Sequence, residues 1–499
     1  MTTPHHLRLA LILPMLFAIA SVMANAVTRH VGAGQTYATV TAAAADTEPG
    51  DTIMIHGGVY PGGEFIANLQ GTAESWIVIT NAEGEDVTFA GSTEAWHLTD
   101  VAYLYIRGIE FAGQSGNGVN IDDGGTYETP SHHVIVDECY FHDMNASGNN
   151  DMLKLSGLDN FAVTDSRFLN GAEGGSGIDM VGCHFGTFMN NEFRNMGSNA
   201  IQAKGGTQFI GIERNRFIDC GQRAVNLGGS TSLEFFRPID APFEAADMYV
   251  SANYFSGTLA PIAYVGSVRV AVFNNTIYRP ERWVIRILQE TVDESRFLPS
   301  GQNSFFNNII IVDGNLSTTV NIGPDTAPET FYFGHNLWYN LDDPSWSGPE
   351  LPTAEVNGLY NVDPLLVDAV NGDVHLRPGS PAIWAGQGHQ EQWYDLYSMP
   401  FETTPSIGAA EMSDINSVRR ESDAARMITM IGSTIVVTPS KGMHLTIDAY
   451  DLNGRHAGTI DEGWFDAGVG RRFDRGDVPA GGLIVVRSGD RIIESALAR

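Results

Sequence analysis

Between about residues 90 and 340 one phrase keeps returning: a small or turn residue, an apolar one, a variable one, a second apolar one, then glycine or a polar turn. It reads AWHL, GVNI, MLKL, GIDM, AIQA, AVNL, PIAY, VIRI and TVNI. The variable positions are His97, Asn120, Lys154, Asp179, Gln202, Asn226, Ala263, Arg286 and Asn321, separated by 23, 34, 25, 23, 24, 37, 23 and 35 residues. A unit this short cannot bury its own apolar face and must stack on its neighbours. Short alternating strands joined by glycine turns predict a coil of parallel strands, about 4.8 Å apart from turn to turn, in which equivalent residues line up in columns.

A second phrase follows each repeat, as in NNEFRNMG, RNRFIDCG, SANYFSGT, FNNTIYRP, FNNIIIVD and GHNLWYN. Asn191, Asn215, Asn253, Asn275, Asn308 and Asn336 each stand two residues before Phe193, Phe217, Phe255, Ile277, Ile310 and Trp338. The large apolar column predicts the interior. The asparagines predict a ladder inside a turn, where each amide binds backbone or the next amide. In contrast, a residue flanked by two apolar strand neighbours points away from the core, so the His97-to-Asn321 column lines the outside of one parallel sheet.

Composition agrees with many short strands, since 55 glycines and 22 prolines punctuate a chain of 499 residues that is 43% apolar. The formal charge of −31, from 59 acids against 28 bases, disfavours general binding to nucleic acid or an anionic membrane. A polyanionic partner needs a local basic site. Residues 1–26 have a weakly basic start, an apolar run from about Leu7 to Val22 and small residues flanking Asn25, the pattern of a signal peptide cleaved after Ala26. No second apolar run of membrane length follows. Cys139, Cys183 and Cys220 form no metal or disulfide framework and read as buried thiols, with oxidation of one pair left open.

Before the repeats, a short amphipathic helix around Tyr37 to Ala45 and the strand GDTIMIHGG predict an N-terminal cap. After about Pro344 the pattern weakens into irregular last coils. Residues 411–426 are polar and read as a linker. Residues 427–499 alternate like a small antiparallel β-sandwich. The chain is thus expected to be all-β, with a right-handed parallel β-helix over residues 27–410 and a C-terminal sandwich.

The words PGDTIMIHGGVY and YLYIRGIEFAG and the repeated strand phrases resemble the right-handed parallel β-helix superfamily that contains pectate-lyase-like polysaccharide lyases, glycoside hydrolases and uronate epimerases. The resemblance covers residues 50 to 390 and implies a polysaccharide lying along the outer face of one long sheet. The motifs IDAYDLNGR and VPAGGLIVVRSGDRIIESALAR resemble the C-terminal sorting domain of proteins exported by the type IX secretion system. That resemblance implies an extracellular or cell-surface protein with the secretion machinery as partner; the protein is expected to act as a monomer.

The chain contains three lysines, Lys154, Lys204 and Lys441. Column counting places Lys154 and Lys204 on one face two coils apart, with Asp179 between them. Removing the proton beside a uronate carboxyl requires neutralisation of that carboxylate, a base, and an acid for the leaving oxygen. Lys204 or Lys154 is the expected base, Asp179 an orienting or metal-binding group, and Arg286, Arg223 and Asn226 the groups that hold the substrate anion. Gln202 and His184 lie beside them. The long insertions after Asn226 and Arg286 are expected to wall a cleft, with Phe235, Phe236, Arg237 and Phe297 facing sugar. Gly205, Gly206, Gly228 and Gly229 suggest a close approach to backbone. Asp179 paired with Asp151, Glu173 or Asp122 gives the rival reading of a glycoside hydrolase. Ca²⁺ held by Asp122, Asp123, Asp151 or Asp179 stays open, as does a non-catalytic carbohydrate-binding adhesin.

Overall fold

The computed structural model describes residues 26–389, residues 394–412 and the C-terminal strands between residues 428 and 497. The expected signal peptide, apart from Ala26, and most of the expected linker lie outside the described residues. Three parallel sheets of fourteen, ten and twelve strands carry the repeats, and successive coils add one strand to each. The result is a parallel β-helix. At its start the helix Val40–Ala45, capped by Thr39, covers the open end, as its amphipathic sequence predicts.

The ten-stranded sheet reproduces the variable column residue for residue. His97 pairs with Asn120, Asn120 with Lys154, Lys154 with Asp179, and Asp179 with Gln202. The register continues through Asn226, Ala263, Arg286 and Asn321. The flanking apolar residues, such as Leu153, Leu155, Ile178, Met180, Ile201 and Val225, are buried in the coil. Period-two alternation therefore fixes which side chains face out.

On the twelve-stranded sheet the apolar column packs ring on ring. Phe141, Phe168, Phe193, Phe217 and Phe255 stack with centroid spacings of 4.7, 4.7, 5.2 and 4.7 Å. The adjoining asparagines form the expected ladder. Each side-chain oxygen accepts the backbone N–H of the preceding rung, at 2.9 Å from Asn191 to Asn215, 2.8 Å from Asn215 to Asn253 and 3.0 Å from Asn253 to Asn275. Asn308 and Asn336 continue it. Cys139, Cys183 and Cys220 are buried in the same core and form no disulfide, so oxidation of a pair is not realised here. Burial pushes the Cys139 and Cys183 thiols up to about 12.

The last part of the β-helix domain differs from the expectation of irregular coils. Residues 364–389 and 394–411 lie along the outside of the helix instead. Gly372 accepts from Arg216 Nη1 at 2.9 Å, Ala369 from Tyr254 at 2.6 Å, and Ser406 from Asn274 at 2.8 Å. Gln387 accepts from Asn307 at 2.7 Å and from Tyr332 at 2.8 Å. Glu411, placed in the linker by sequence, is buried and accepts from Ser406 N at 2.9 Å. Beyond it, antiparallel sheets of three and four strands enclose Val437, Leu445, Ile447, Phe465, Ile484 and Val486 as a separate small core. No described helix is long and apolar enough to cross a membrane.

Candidate functional site

Lys154 and Asp179 sit on the adjacent strands Leu153–Ser156 and Ser176–Val181, directly opposite each other. Lys204 ends the next strand, Asn199–Lys204, where its register partner is Val181, two residues beyond Asp179. Both ammonium groups turn to the same carboxylate: Lys154 binds Asp179 Oδ2, and Lys204 Nζ lies 3.3 Å from Asp179 Oδ1. Asp151 lies 3.6 Å from Lys154. The two carboxylates are buried and the lysines cover them, with 23% and 13% of their side chains exposed.

Burial alone pulls the Lys154 ammonium toward its neutral form, but Asp179 and Asp151 outweigh it and hold its pKa above the ordinary lysine value. A base must be neutral, so the two acids disfavour Lys154 as the base and favour it as a positive charge. Asp151 moves the other way, raised to about 6 by burial and then by the neighbouring Asp179 charge.

The arginines do not join this centre. Arg286 lies four coils from Asp179, about 19 Å along the axis at about 4.8 Å per coil, too far to neutralise a carboxylate beside Lys204. Arg223 begins the strand Arg223–Gly228 and points to Asn226 Oδ1 at 3.2 Å and Glu290 at 2.6 Å. Asn226 is buried and donates to Gly228 O at 3.2 Å, so it orients Arg223 and presents nothing to a ligand. Gln202, half-buried between Asp179 and Asn226, accepts from Asn199 at 3.1 Å and remains on the lysine face.

The insertions do pack together beside the sheet, with Leu298 N donating to Pro242 O at 2.9 Å and Arg296 Nη2 to Ile239 O at 2.7 Å. Phe236 and Phe297 are not free to face a sugar. Phe236 and Phe297 are buried with Ala241, Phe243 and Val268 in a small core of their own; only Phe235 is exposed. Arg237 makes a bidentate pair with Asp159 at 2.8 and 2.7 Å and donates to Gly182 O at 2.9 Å. His184 lies 3.2 Å from Asp159 on the fourteen-stranded sheet, around the corner from the lysines. Burial pushes the Asp159 carboxyl up, but the bonds from His184 and Arg237 prevail and bring it to about 2. Phe236, Arg237 and His184 thus anchor the insertion.

The glycines follow the same logic. A methyl on Gly206 would lie 2.4 Å from Arg237 O, and one on Gly229 would lie 2.6 Å from Gln202 Nε2 and 3.2 Å from Lys204 Cδ. At Gly206 the chain's own insertion approaches the backbone, and at Gly229 the side chains of Gln202 and Lys204 do. Buried Glu244 ties the insertion down, accepting from Gly205 N at 2.8 Å and Thr231 N at 2.9 Å. Sequence reasoning missed Glu244, whose position in a long loop carries no periodic signal.

The remaining acids do not assemble a free pair. Asp122 binds His97 at 2.7 Å, Asp123 accepts from Gly125 N at 2.9 Å, and Glu173 is exposed. Asp151 and Asp179 both face Lys154. Among the described residues no three His, Cys, Asp or Glu side chains gather as a metal site. Asp151 and Asp179 face lysines and Asp122 faces His97, so these carboxylates do not form the oxygen-rich anionic set that Ca²⁺ takes.

Residues 73–237 match a family model described as the right handed beta helix region. The protein is a right-handed parallel β-helix. Among solved structures it is similar to pectate lyase Pel9A, with 14% identity over 78% of this chain and 96% of that one and a TM-score of 0.49. It is also similar to XylC in complex with xylose, at 13% identity over 78% and 98% with a TM-score of 0.50. An alginate lyase from Paenibacillus sp. str. FPU-7 shares 16% identity over 62% and 99%, with a TM-score of 0.40. At such identities the likeness concerns the fold. No curated protein matches the chain in sequence.

Proposed function

We propose that this protein is a secreted carbohydrate-active enzyme that cleaves a uronate-containing polysaccharide by β-elimination. The observation that supports it most is the meeting of two of the chain's three lysines on one carboxylate, on the outer face of a parallel sheet. In this reading Lys154, kept charged by its two acids, neutralises the sugar carboxylate and the enolate-like charge that develops on it. Lys204, once it has released its ammonium proton to water, takes the proton from the carbon beside that carboxylate. The electron pair forms the new carbon–carbon double bond and the glycosidic oxygen leaves. Protonated Lys204 returns its proton to that oxygen, so no further reactant is consumed. Asp179 holds both ammonium groups in register. The similarity to structures of a pectate lyase and an alginate lyase concerns the fold and does not carry this chemistry.

One observation favours a second reading. Asp151, raised to about 6, beside Asp179 is the kind of acid and carboxylate combination used in glycoside hydrolysis. Both groups, however, lie beneath Lys154. Incubation with uronate-containing and neutral polysaccharides, following absorbance of unsaturated products and reducing ends separately, distinguishes the two. New absorbance, with a loss of roughly 10²–10⁴-fold in Lys204→Met, supports elimination. Reducing ends without absorbance support hydrolysis, exchange at the carbon without cleavage supports epimerisation, and binding alone supports an adhesin. Export through residues 427–499 as a sorting domain belongs to the same proposal, and their deletion is expected to leave the protein inside the cell.

A further inference from the structure

The arginines that the register separates from the lysines form a centre of their own. Arg286 projects from the strand Ile285–Leu288, and Trp283 stands just before it. The guanidinium carbons of Arg282 and Arg286 lie 4.3 and 4.6 Å from the centre of the Trp283 ring, which holds two like charges near each other. Arg286 Nε donates to Asn321 Oδ1 at 3.0 Å, fixing the direction of the fork. Arg223 adds a third guanidinium, and its buried Nε has no hydrogen-bond partner. Glu290 pairs with Arg223 at 2.6 Å, but among the described residues neither Arg282 nor Arg286 pairs with a carboxylate.

Burial, then repulsion from Arg223 and Arg282, lowers the Arg286 pKa from its ordinary value against the pull of Glu290. In a chain with a formal charge of −31, three arginines against one acid is a local excess of positive charge. A carboxylate relieves it, because a planar guanidinium fork matches its two oxygens.

We propose that Arg282, Arg286 and Arg223, organised by Trp283, form a distal subsite for a carboxylate of the same sugar chain whose scissile linkage lies at Lys154, Asp179 and Lys204. This rests on the uronate reading above and narrows it. A pyranose ring is about as long as the coil spacing of about 4.8 Å, so the four coils between Asp179 and Arg286 correspond to about four rings. The substrate is then an oligomer or polymer with acidic groups on separated units, and short fragments are poor substrates.

The test uses oligogalacturonates and oligomannuronates of about two to eight units, a range set by that coil spacing, with wild type, Arg282→Gln and Arg286→Gln. Wild-type kcat/KM is expected to rise with length and level off near about five units. Each variant is expected to lose roughly tenfold on the longest chains, with the loss shrinking as the chain shortens. Arg282 is exposed, so its variant serves as the one least coupled to folding. Unchanged length dependence in both variants overturns the subsite and leaves the uronate reading standing. A wild type that processes no uronate of any length overturns both.

Discussion

Asp179→Asn removes the charge that two ammonium groups share while keeping the shape of the side chain. Lys154 keeps Asp151 at 3.6 Å, whereas Lys204 makes no other ion pair within 4 Å among the described residues and feels Asp151 only as a more distant charge. Stranding one member of a buried ion pair costs about 3–5 kcal/mol. The lysines retain 23% and 13% of their side-chain exposure, so water screens part of this, and about 2–4 kcal/mol is expected. Urea unfolding followed by tryptophan fluorescence reads it as a lower midpoint at unchanged slope. Adding Lys204→Met removes the stranded cation, so the double variant is expected to be more stable than the sum of the single variants predicts, by about 1–3 kcal/mol. An Asp179→Asn protein within about 0.5 kcal/mol of wild type, or an additive cycle, refutes the shared-carboxylate argument.

Asp151, raised to about 6, binds its proton more tightly folded than unfolded. It therefore contributes stability that is complete below about pH 4 and is lost as pH rises through about 6. Asp151→Asn keeps an acceptor for Ser176 N, at 2.8 Å in the wild type, and is expected to lessen the fall in urea midpoint across that window. Asn215→Ala deletes the rung that accepts from Asn191 N and Asn191 Nδ2 and donates to Phe188 O, Glu213 O and Asn253 Oδ1. At about 1 kcal/mol per bond, with the Asn191 N–H left buried, a loss of about 3–5 kcal/mol is expected in the same assay.

The coil was legible because its signal is periodic. Small and apolar neighbours around each variable residue fixed the register of the ten-stranded sheet, and asparagine two residues before an aromatic or aliphatic residue fixed the ladder. Lys154, Asp179 and Lys204 came together for that reason. The corners were not legible, because a turn changes which sheet a residue joins: His184 stands five residues after Asp179 yet belongs to the fourteen-stranded sheet. Arg237 finds its partner 78 residues earlier in Asp159. Aromatics in a long insertion look alike in sequence whether they cover an edge or face a ligand, and Phe236 does the former. The distance of Arg286 from the lysines was available from counting coils, whereas the Arg282 and Trp283 contact depended on side-chain direction.

Ala369, Gly372, Gln387 and Ser406 bind coils represented by Arg216, Tyr254, Asn274, Asn307 and Tyr332. A stack held only by neighbour contacts frays progressively from its end. Here the final segment acts as a clasp across five successive layers, so none of them peels away without releasing the strap that grips the others. These coils are therefore expected to open as one block.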